Sequence, residues 1–292
     1  MKSPAAGAQP KGTPSRVAVA AVAAAGALVT VELGRRTPGL SGPTWTRTNH
    51  RGSQVSLVAG PAAAVTTSLI AAATLPPRLR VPALLLGFGS GAVGLYDDVV
   101  GARSDQWRDK GFRGHLGALR SGRVSTGAVK VVGVVVASMV AAGSMSAGPV
   151  DRIVAAGVMA GTANLVNLLD LRPGRAAKAT ALGAAVTLGG PAAGASAAVL
   201  GTSLGILPAD LAEKVMLGDC GANALGALLG FGLAADSGFR GRAVILALLV
   251  ALTAASERVS FTRVIEATPG LRDLDSWGRL AVERPSGSPQ LS

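Results

Sequence analysis

The chain reads VPALLLGFGSGAVGLYDD over residues 81–98, an apolar run that ends in two adjacent carboxylates, Asp97 and Asp98. The run from Val81 to Tyr96 is about long enough to cross a bilayer as a helix. Carboxylates at the end of such a span are costly to hold there, so they indicate a functional site. The alternative is a pair that only marks where the helix meets water, and the other acids of the chain bear on that choice.

The composition of the whole chain indicates a membrane protein. Of 292 residues, 49% are hydrophobic and 15% are charged, and the mean hydropathy is positive. These values are typical of a polytopic helical membrane protein and not of a soluble domain. The net charge of +12 is therefore interpreted first as membrane topology and not as nucleic-acid binding. The single cysteine, Cys220, excludes an intrachain disulfide and a Cys-based metal cluster.

Apolar runs predict an all-α, polytopic integral membrane protein with about nine transmembrane helices. Residues 1–16 are predicted to be a disordered tail, residues 17–256 a transmembrane domain, and residues 257–292 a cytoplasmic C-terminal tail. The sixth and seventh runs flank a Gly-Gly-Pro turn at 189–191, and a longer tilted helix with a re-entrant segment is the alternative there. The predicted spans are residues 17–33, 54–74, 81–97, 127–147, 152–169, 176–190, 193–207, 221–236 and 241–256.

The distribution of basic residues predicts the orientation of these spans. If Asp97 and Asp98 face the cytoplasm, the inner segments hold 20 of the Lys and Arg residues and the outer segments hold 8. Basic residues concentrate on the cytoplasmic side of membrane proteins, so the N-terminus is predicted outside and the C-terminus inside. The Asp, Asn and His residues at span ends then gather on the cytoplasmic side, as a site facing that compartment requires.

A second group of polar residues stands at the cytoplasmic end of the fifth predicted span. Asn164, Asn167 and Asp170 recur every third residue, which keeps them near one stripe of a helix. One interpretation is hydrogen bonding between membrane helices, a common role for Asn in such helices. The other is a site in which Asp170 and the two amides bind a nucleotide or a metal ion.

A third group, Gly218-Asp219-Cys220-Gly221, opens the eighth predicted span. The glycines permit positive φ and close approach of a ligand, and the helix N-terminus that follows favours phosphate. A carboxylate beside a phosphate is repelled unless a divalent cation joins them, and Mg²⁺ commonly takes one or two carboxylates at phosphate sites. The alternative is that Asp219 simply caps the helix.

The segment from Lys110 to Arg123 is basic and Gly-rich. It is predicted to clamp a diphosphate or a lipid phosphate through Lys110 and Arg113, with His115 as a further candidate. The positive-inside bias alone also explains the charge of this segment, although it explains less about His115.

Three motifs in order carry a family resemblance: GLYDD at 94–98, NLVNLLD at 164–170 and MLGDCGANALG at 216–226. Together they resemble the polyprenyl-phosphate sugar-1-phosphate transferases. That membrane family includes phospho-MurNAc-pentapeptide translocase and the undecaprenyl-phosphate GlcNAc-1-phosphate transferases. The resemblance covers residues 45–236. Each motif alone is weak evidence for the family. The three together are more specific, because of their order, their spacing and their common position on the predicted cytoplasmic side.

The resemblance implies a Mg²⁺-dependent reaction at the cytoplasmic face of the cell membrane, in cell-envelope glycan synthesis. A UDP-sugar and a polyprenyl phosphate would give a polyprenyl-diphosphate sugar and UMP, with no nucleic acid involved. The sequence also leaves open that the chain forms a homodimer. By position in the motifs, Asp97 and Asp98 are the catalytic pair, and Asp219 and Asn167 are metal-binding. The predicted substrate-binding residues are Asn164, Asp170, Lys110, Arg113 and His115.

Departures from the family pattern leave other functions open. Pro173 stands where the family has a second Asp, and Gly101 stands where it has a Lys. Only two histidines, His50 and His115, are present, so the His-rich motif of the pentapeptide translocase is absent. A catalytically degenerate relative that serves as a membrane scaffold or regulator is the main alternative. A transporter is the other, although its polar residues would lie at the bilayer midplane and not at span ends.

Overall fold

The computed structural model describes residues 14–101 and 125–280, and the chain in these ranges is predominantly helical. Its one sheet is a short antiparallel hairpin of β1 (Thr46–Thr48) and β2 (Gln54–Ser56), which pairs Arg47 with Val55. The helices are α1 (Arg16–Arg36), α2 (Ala59–Thr74), α3 (Pro77–Val100), α4 (Thr126–Ala142), α5 (Pro149–Leu169), α6 (Arg175–Val186), α7 (Ala193–Leu211), α8 (Gly218–Asp236), α9 (Phe239–Ser256), α10 (Phe261–Ala267) and α11 (Pro269–Ser276).

Within the described ranges, five helices are long and apolar enough to cross a membrane. These are α1, α3, α5, α7 and α9, which contain 18 to 24 residues each. Helices α2 and α4 are apolar but shorter, with 16 and 17 residues. This set of helices agrees with the membrane class expected from composition.

Helix α8 lies at the centre of the helix packing. It contacts each of the helices α2 to α7, and almost every side chain from Gly218 to Ala234 is buried. A Cβ atom added at Gly226 or Gly230 would lie 2.7 Å from a Cα atom of α5. The two helices therefore meet backbone to backbone, which is how small residues hold helices together in lipid.

Helices α1 and α9 lie at the periphery. The buried residues of α1 recur every fourth position, at Val19, Ala23, Ala27 and Val31, and face α7 and α2. In α9 only Arg242 and Leu249 are buried. The Arg242 guanidinium donates to both carboxylate oxygens of Asp151 at 2.8 Å and so joins α9 to the start of α5.

A helix lies at each of the nine predicted spans, although the bounds of several helices differ from the predicted ones. The second span was expected from residue 54, but residues Gln54–Ser56 form β2 and the helix begins at Ala59. The predicted turn at 189–191 separates α6 from α7. With 12 residues, α6 is about 18 Å long, shorter than the ~30 Å hydrocarbon core. The expected tail after residue 256 contains α10 and α11.

Candidate functional site

Asp98, at the end of α3, holds the first turn of α8. Its carboxylate accepts hydrogen bonds from the N–H groups of Asp219 at 3.1 Å and Cys220 at 2.9 Å. Gly94 makes this possible, because a Cβ there would lie 2.3 Å from the Asp219 carbonyl oxygen. Carboxylates at a helix N-terminus satisfy free N–H groups and the helix dipole. Asp98, and not Asp219, therefore caps α8.

Lys130, in α4, joins the other two carboxylates at this junction. Its Nζ atom lies 2.8 Å from the Asp97 carboxylate and makes a second, very short contact with the Asp219 carboxylate. All three side chains are largely buried, which strengthens the attraction relative to a surface ion pair. Lys130 is not among the residues predicted from the sequence, although a lone charge early in an apolar helix is a recognisable signal.

The start of α8, the end of α5 and the β-hairpin enclose a cavity of about 450 Å³. Residues of all three motifs line it, so the fold brings together groups that are up to 121 positions apart in the chain. Gly218, at its base, has a φ of +60°, which agrees with the predicted need for glycine there. The predicted site residues in its lining are Asp98, Asn167, Asp170 and Asp219.

Two further acids, Asp210 and Glu213, extend the acidic wall of this cavity. Asp210 is buried at the end of α7 and accepts the N–H of Gly174 at 3.0 Å. Asp170 follows α5, and burial together with the nearby Asp210 and Asp219 raises its pKa well above the usual range of a carboxyl group. Among the described residues, the Oδ2 atom of Asp170 has no hydrogen-bond partner.

This arrangement fits a hard cation bound with the help of a ligand. Clustered carboxylates with a free buried oxygen are electrostatically unfavourable without a nearby positive charge, and oxygen donors are those that Mg²⁺ prefers. In residues 14–101 and 125–280, no three His, Cys, Asp or Glu side chains are arranged to hold a metal by themselves. Asp170 and Asp219 therefore suit an ion that completes its coordination with water and phosphate oxygens.

Basic groups also line the same cavity. Arg47 and His50 come from the β-hairpin, and Arg172 comes from the turn between α5 and α6. The guanidinium of Arg47 makes a short hydrogen bond to the Asp98 carbonyl oxygen and so ties the hairpin to α3. Burial and the neighbouring Arg172 lower the pKa of His50. Acidic and basic walls facing one space suit a cation together with an anion.

Some predicted site residues are not brought into the cavity. The Asn164 amide donates to Thr253 of α9 at 3.1 Å and does not line the cavity, which is the helix-to-helix role considered as its alternative. Asp97 also lies outside the lining and faces Lys130. Lys110, Arg113 and His115 lie outside the described residues.

Pro173 lies in the cavity wall and brings no carboxylate to it. An acid from another helix lies beside this turn: the carboxylate of Asp210, at the end of α7, accepts a hydrogen bond from the N–H of Gly174. Asp210 is not among the residues predicted from the sequence, although it stands in an apolar stretch just after the predicted span 193–207.

Comparison with known proteins adds no family assignment. No protein-family model matches the chain, and no curated protein matches it. The three motifs are a resemblance read from the residues, and the geometry of the cavity is the independent observation beside them.

Proposed function

We propose that the chain transfers a sugar-1-phosphate from a UDP-sugar to a polyprenyl phosphate and releases UMP. The observation that carries this proposal is the meeting of Asp98, Asn167, Asp170 and Asp219 in one cavity at the ends of apolar helices. These residues come from three separate motifs, and nothing in helix packing alone requires them to share a cavity.

In this reaction an oxygen of the lipid phosphate attacks the β-phosphorus of the UDP-sugar. The bond between the β-phosphorus and the bridging oxygen breaks, and UMP leaves with that oxygen. Both reactants are anionic, so the site must reduce their repulsion and align them. A Mg²⁺ ion bound through Asp219 and Asp170 would supply charge neutralisation on the diphosphate. Arg172 suits the phosphate oxygens, because a guanidinium group binds phosphate in a planar fork, whereas the Arg47 guanidinium already donates to backbone carbonyl oxygens.

The geometry assigns different roles to the two acids of the pair. Asp98 is engaged by two N–H groups and keeps the first turn of α8 in place. Asp97 pairs with Lys130, which also holds Asp219. A phosphate monoester with a second pKa near 6 is mostly dianionic at neutral pH, so a strong general base adds little. Asp97, Asp98 and Lys130 therefore act mainly by positioning Asp219.

We further propose nine membrane crossings, with the bilayer locally thinned around the short helix α6, and a cytoplasmic, plasma-membrane site. The basic-residue bias of 20 to 8 supports this orientation, because it puts the cavity on the more basic side. The lipid substrate would then approach from the bilayer, and the UDP-sugar from the cytoplasm. A homodimer is compatible with the apolar faces of α1 and α9.

The second candidate is a catalytically degenerate relative that acts as a scaffold. Pro173 favours it, since the family has a carboxylate at that position. The acids that line the cavity favour the enzyme, because a scaffold gains nothing from a free buried oxygen on Asp170.

The test is UMP release by the purified protein in detergent, with polyprenyl phosphate, a panel of UDP-sugars, and Mg²⁺ or EDTA. We expect Mg²⁺-dependent release from one donor, and its loss in Asp219→Asn. Asp236→Asn is the matched control, because Asp236 ends the same helix far from the cavity. A folded wild-type protein that releases no UMP from any donor would favour the scaffold.

A further inference from the structure

The end of α11 and the residues that follow it return to the cavity and connect two of its walls. We call residues 275–280 the C-terminal clasp. The backbone reverses at Gly278, which has a φ of +76°, a conformation that glycine adopts without strain. The reversal directs Arg279 and Leu280 toward the cavity walls.

Two buried cations at the start of α6 anchor the clasp. Arg175 binds both carboxylate oxygens of Asp275, at 2.8 and 3.0 Å. Lys178 donates to the carbonyl oxygens of Leu274, Asp275 and Trp277, at 2.9, 2.7 and 3.0 Å. Cations in the first turn of a helix oppose its dipole, and burial adds to the cost, so these residues need strong partners. The clasp supplies all of them except the Leu274 carbonyl, which directly precedes it, and the Thr262 hydroxyl, which Arg175 also reaches.

From this anchor the clasp contacts both walls directly. Arg279 donates from Nε to the Pro173 carbonyl at 2.9 Å and from Nη2 to Asp275 at 2.6 Å. On the other side, Arg51 donates to the Leu280 carbonyl at 2.8 Å. Pro173 and the neighbours of Arg51, Asn49 and His50, line the cavity. The clasp therefore spans from the α5–α6 turn to the β-hairpin loop.

Packing under the clasp fixes the same geometry. Gly174 and Gly278 both have positive φ, and a Cβ on either would lie within 3 Å of a methyl carbon of Leu211. Leu211 follows Asp210, which lines the cavity. The turn at residues 172–174 and the clasp thus both pack against Leu211, at the end of α7.

We propose that Arg279 is a positioning residue, which holds the turn at residues 172–174 against the hairpin loop at residues 49–51 so that the cavity fits an anionic diphosphate donor. The inference rests on the proposed function for its substrate class. Arg279 does not line the cavity, so its influence passes through Pro173 and Arg172.

The experiment compares Arg279→Ala with Arg272→Ala in the full-length protein. Arg272 is an exposed arginine of α11 whose bond is to the adjacent Asp273. We expect the KM for the donor to rise about tenfold in Arg279→Ala, as for loss of one hydrogen bond to a charged group, with little change in kcat. Arg272→Ala should match the wild type. A fall in kcat at unchanged KM would overturn the positioning role.

Hydrogen exchange of the same proteins tests the clasp without any activity. Arg279→Ala should increase exchange in peptides covering residues 172–178 and 47–53, and leave α9 unchanged. Equal exchange in Arg279→Ala and the wild type would overturn the inference. If Arg279→Ala does not fold, Arg279→Lys keeps the pair with Asp275 and should show a smaller change in the same direction. Absence of UMP release from the wild type would remove the proposed function and leave the exchange result to decide the clasp.

Discussion

Replacing Asp98 by alanine should loosen the first turn of α8 far more than the same change at its neighbour Asp97. The two acids are adjacent in sequence, yet of the two only Asp98 accepts hydrogen bonds from backbone N–H groups at the start of α8. Asp97 shares Lys130 with Asp219, so Lys130 keeps one partner when Asp97 is removed. Asp97→Ala is therefore the matched control for Asp98→Ala.

The expected magnitudes follow from these contacts. Loss of two charge-assisted hydrogen bonds costs about 3 kcal/mol of unfolding free energy in Asp98→Ala. The Asp97 side chain is 17% exposed, and loss of one of two partly buried ion pairs costs about 1 kcal/mol. Asp98→Asn keeps one uncharged acceptor and should fall between the two variants.

Two measurements check this prediction. The first is thermal unfolding in detergent by tryptophan fluorescence, where the fall in Tm for Asp98→Ala should be at least about twice that for Asp97→Ala. The second uses Cys220, the single cysteine, which is buried and donates its N–H to Asp98. Its thiol should react with a maleimide below the unfolding temperature in Asp98→Ala and stay protected in Asp97→Ala. Equal protection and equal Tm shifts in both variants would refute the capping role.

The remaining predictions concern the backbone contact at Gly94 and the pH dependence of the clasp. Gly94→Ala should reduce both Tm and UMP release, because its Cβ would lie 2.3 Å from a backbone oxygen; Gly39→Ala, with open space around it, is the control, and equal effects of the two would contradict the prediction. Burial opposes ionisation of Asp275, but Arg175 and Arg279 prevail and hold its pKa below the ordinary value of an aspartate, 3.8. The stabilisation from this ion pair is thus present above about pH 4 and is lost as the pH falls through the folded-state pKa. Between pH 6 and pH 3 the Tm of the wild type should fall further than the Tm of Asp275→Asn. Parallel curves of Tm against pH for the two proteins would contradict this.

The long helices and part of the candidate site could be predicted from the sequence. Apolar runs give the helices because bilayer-length hydrophobicity is a local property of the chain. The acidic pair, Asp170 and Asp219 were identified because carboxylates at span ends are conspicuous in an apolar sequence.

Other features depend on contacts between distant residues and could not be predicted in this way. Lys130 is one charge in an apolar helix, and only the packing of α4 against α3 and α8 shows its two partners. The β-hairpin has three-residue strands, too short for a periodic pattern. The different roles of Asp97 and Asp98 follow from side-chain direction, because adjacent residues on a helix point about 100° apart.

The bond between Asp98 and the start of α8 has a consequence for biogenesis. The partners of the Asp98 carboxylate are 121 and 122 residues further along the chain. During synthesis, α3 therefore emerges well before the amides that satisfy its last acid, while Lys130 follows much sooner and can pair with Asp97. The acidic end of α3 stays incompletely paired until α8 is inserted, so late assembly of α8 against α3 is the step at which this protein is most exposed to misfolding and quality control.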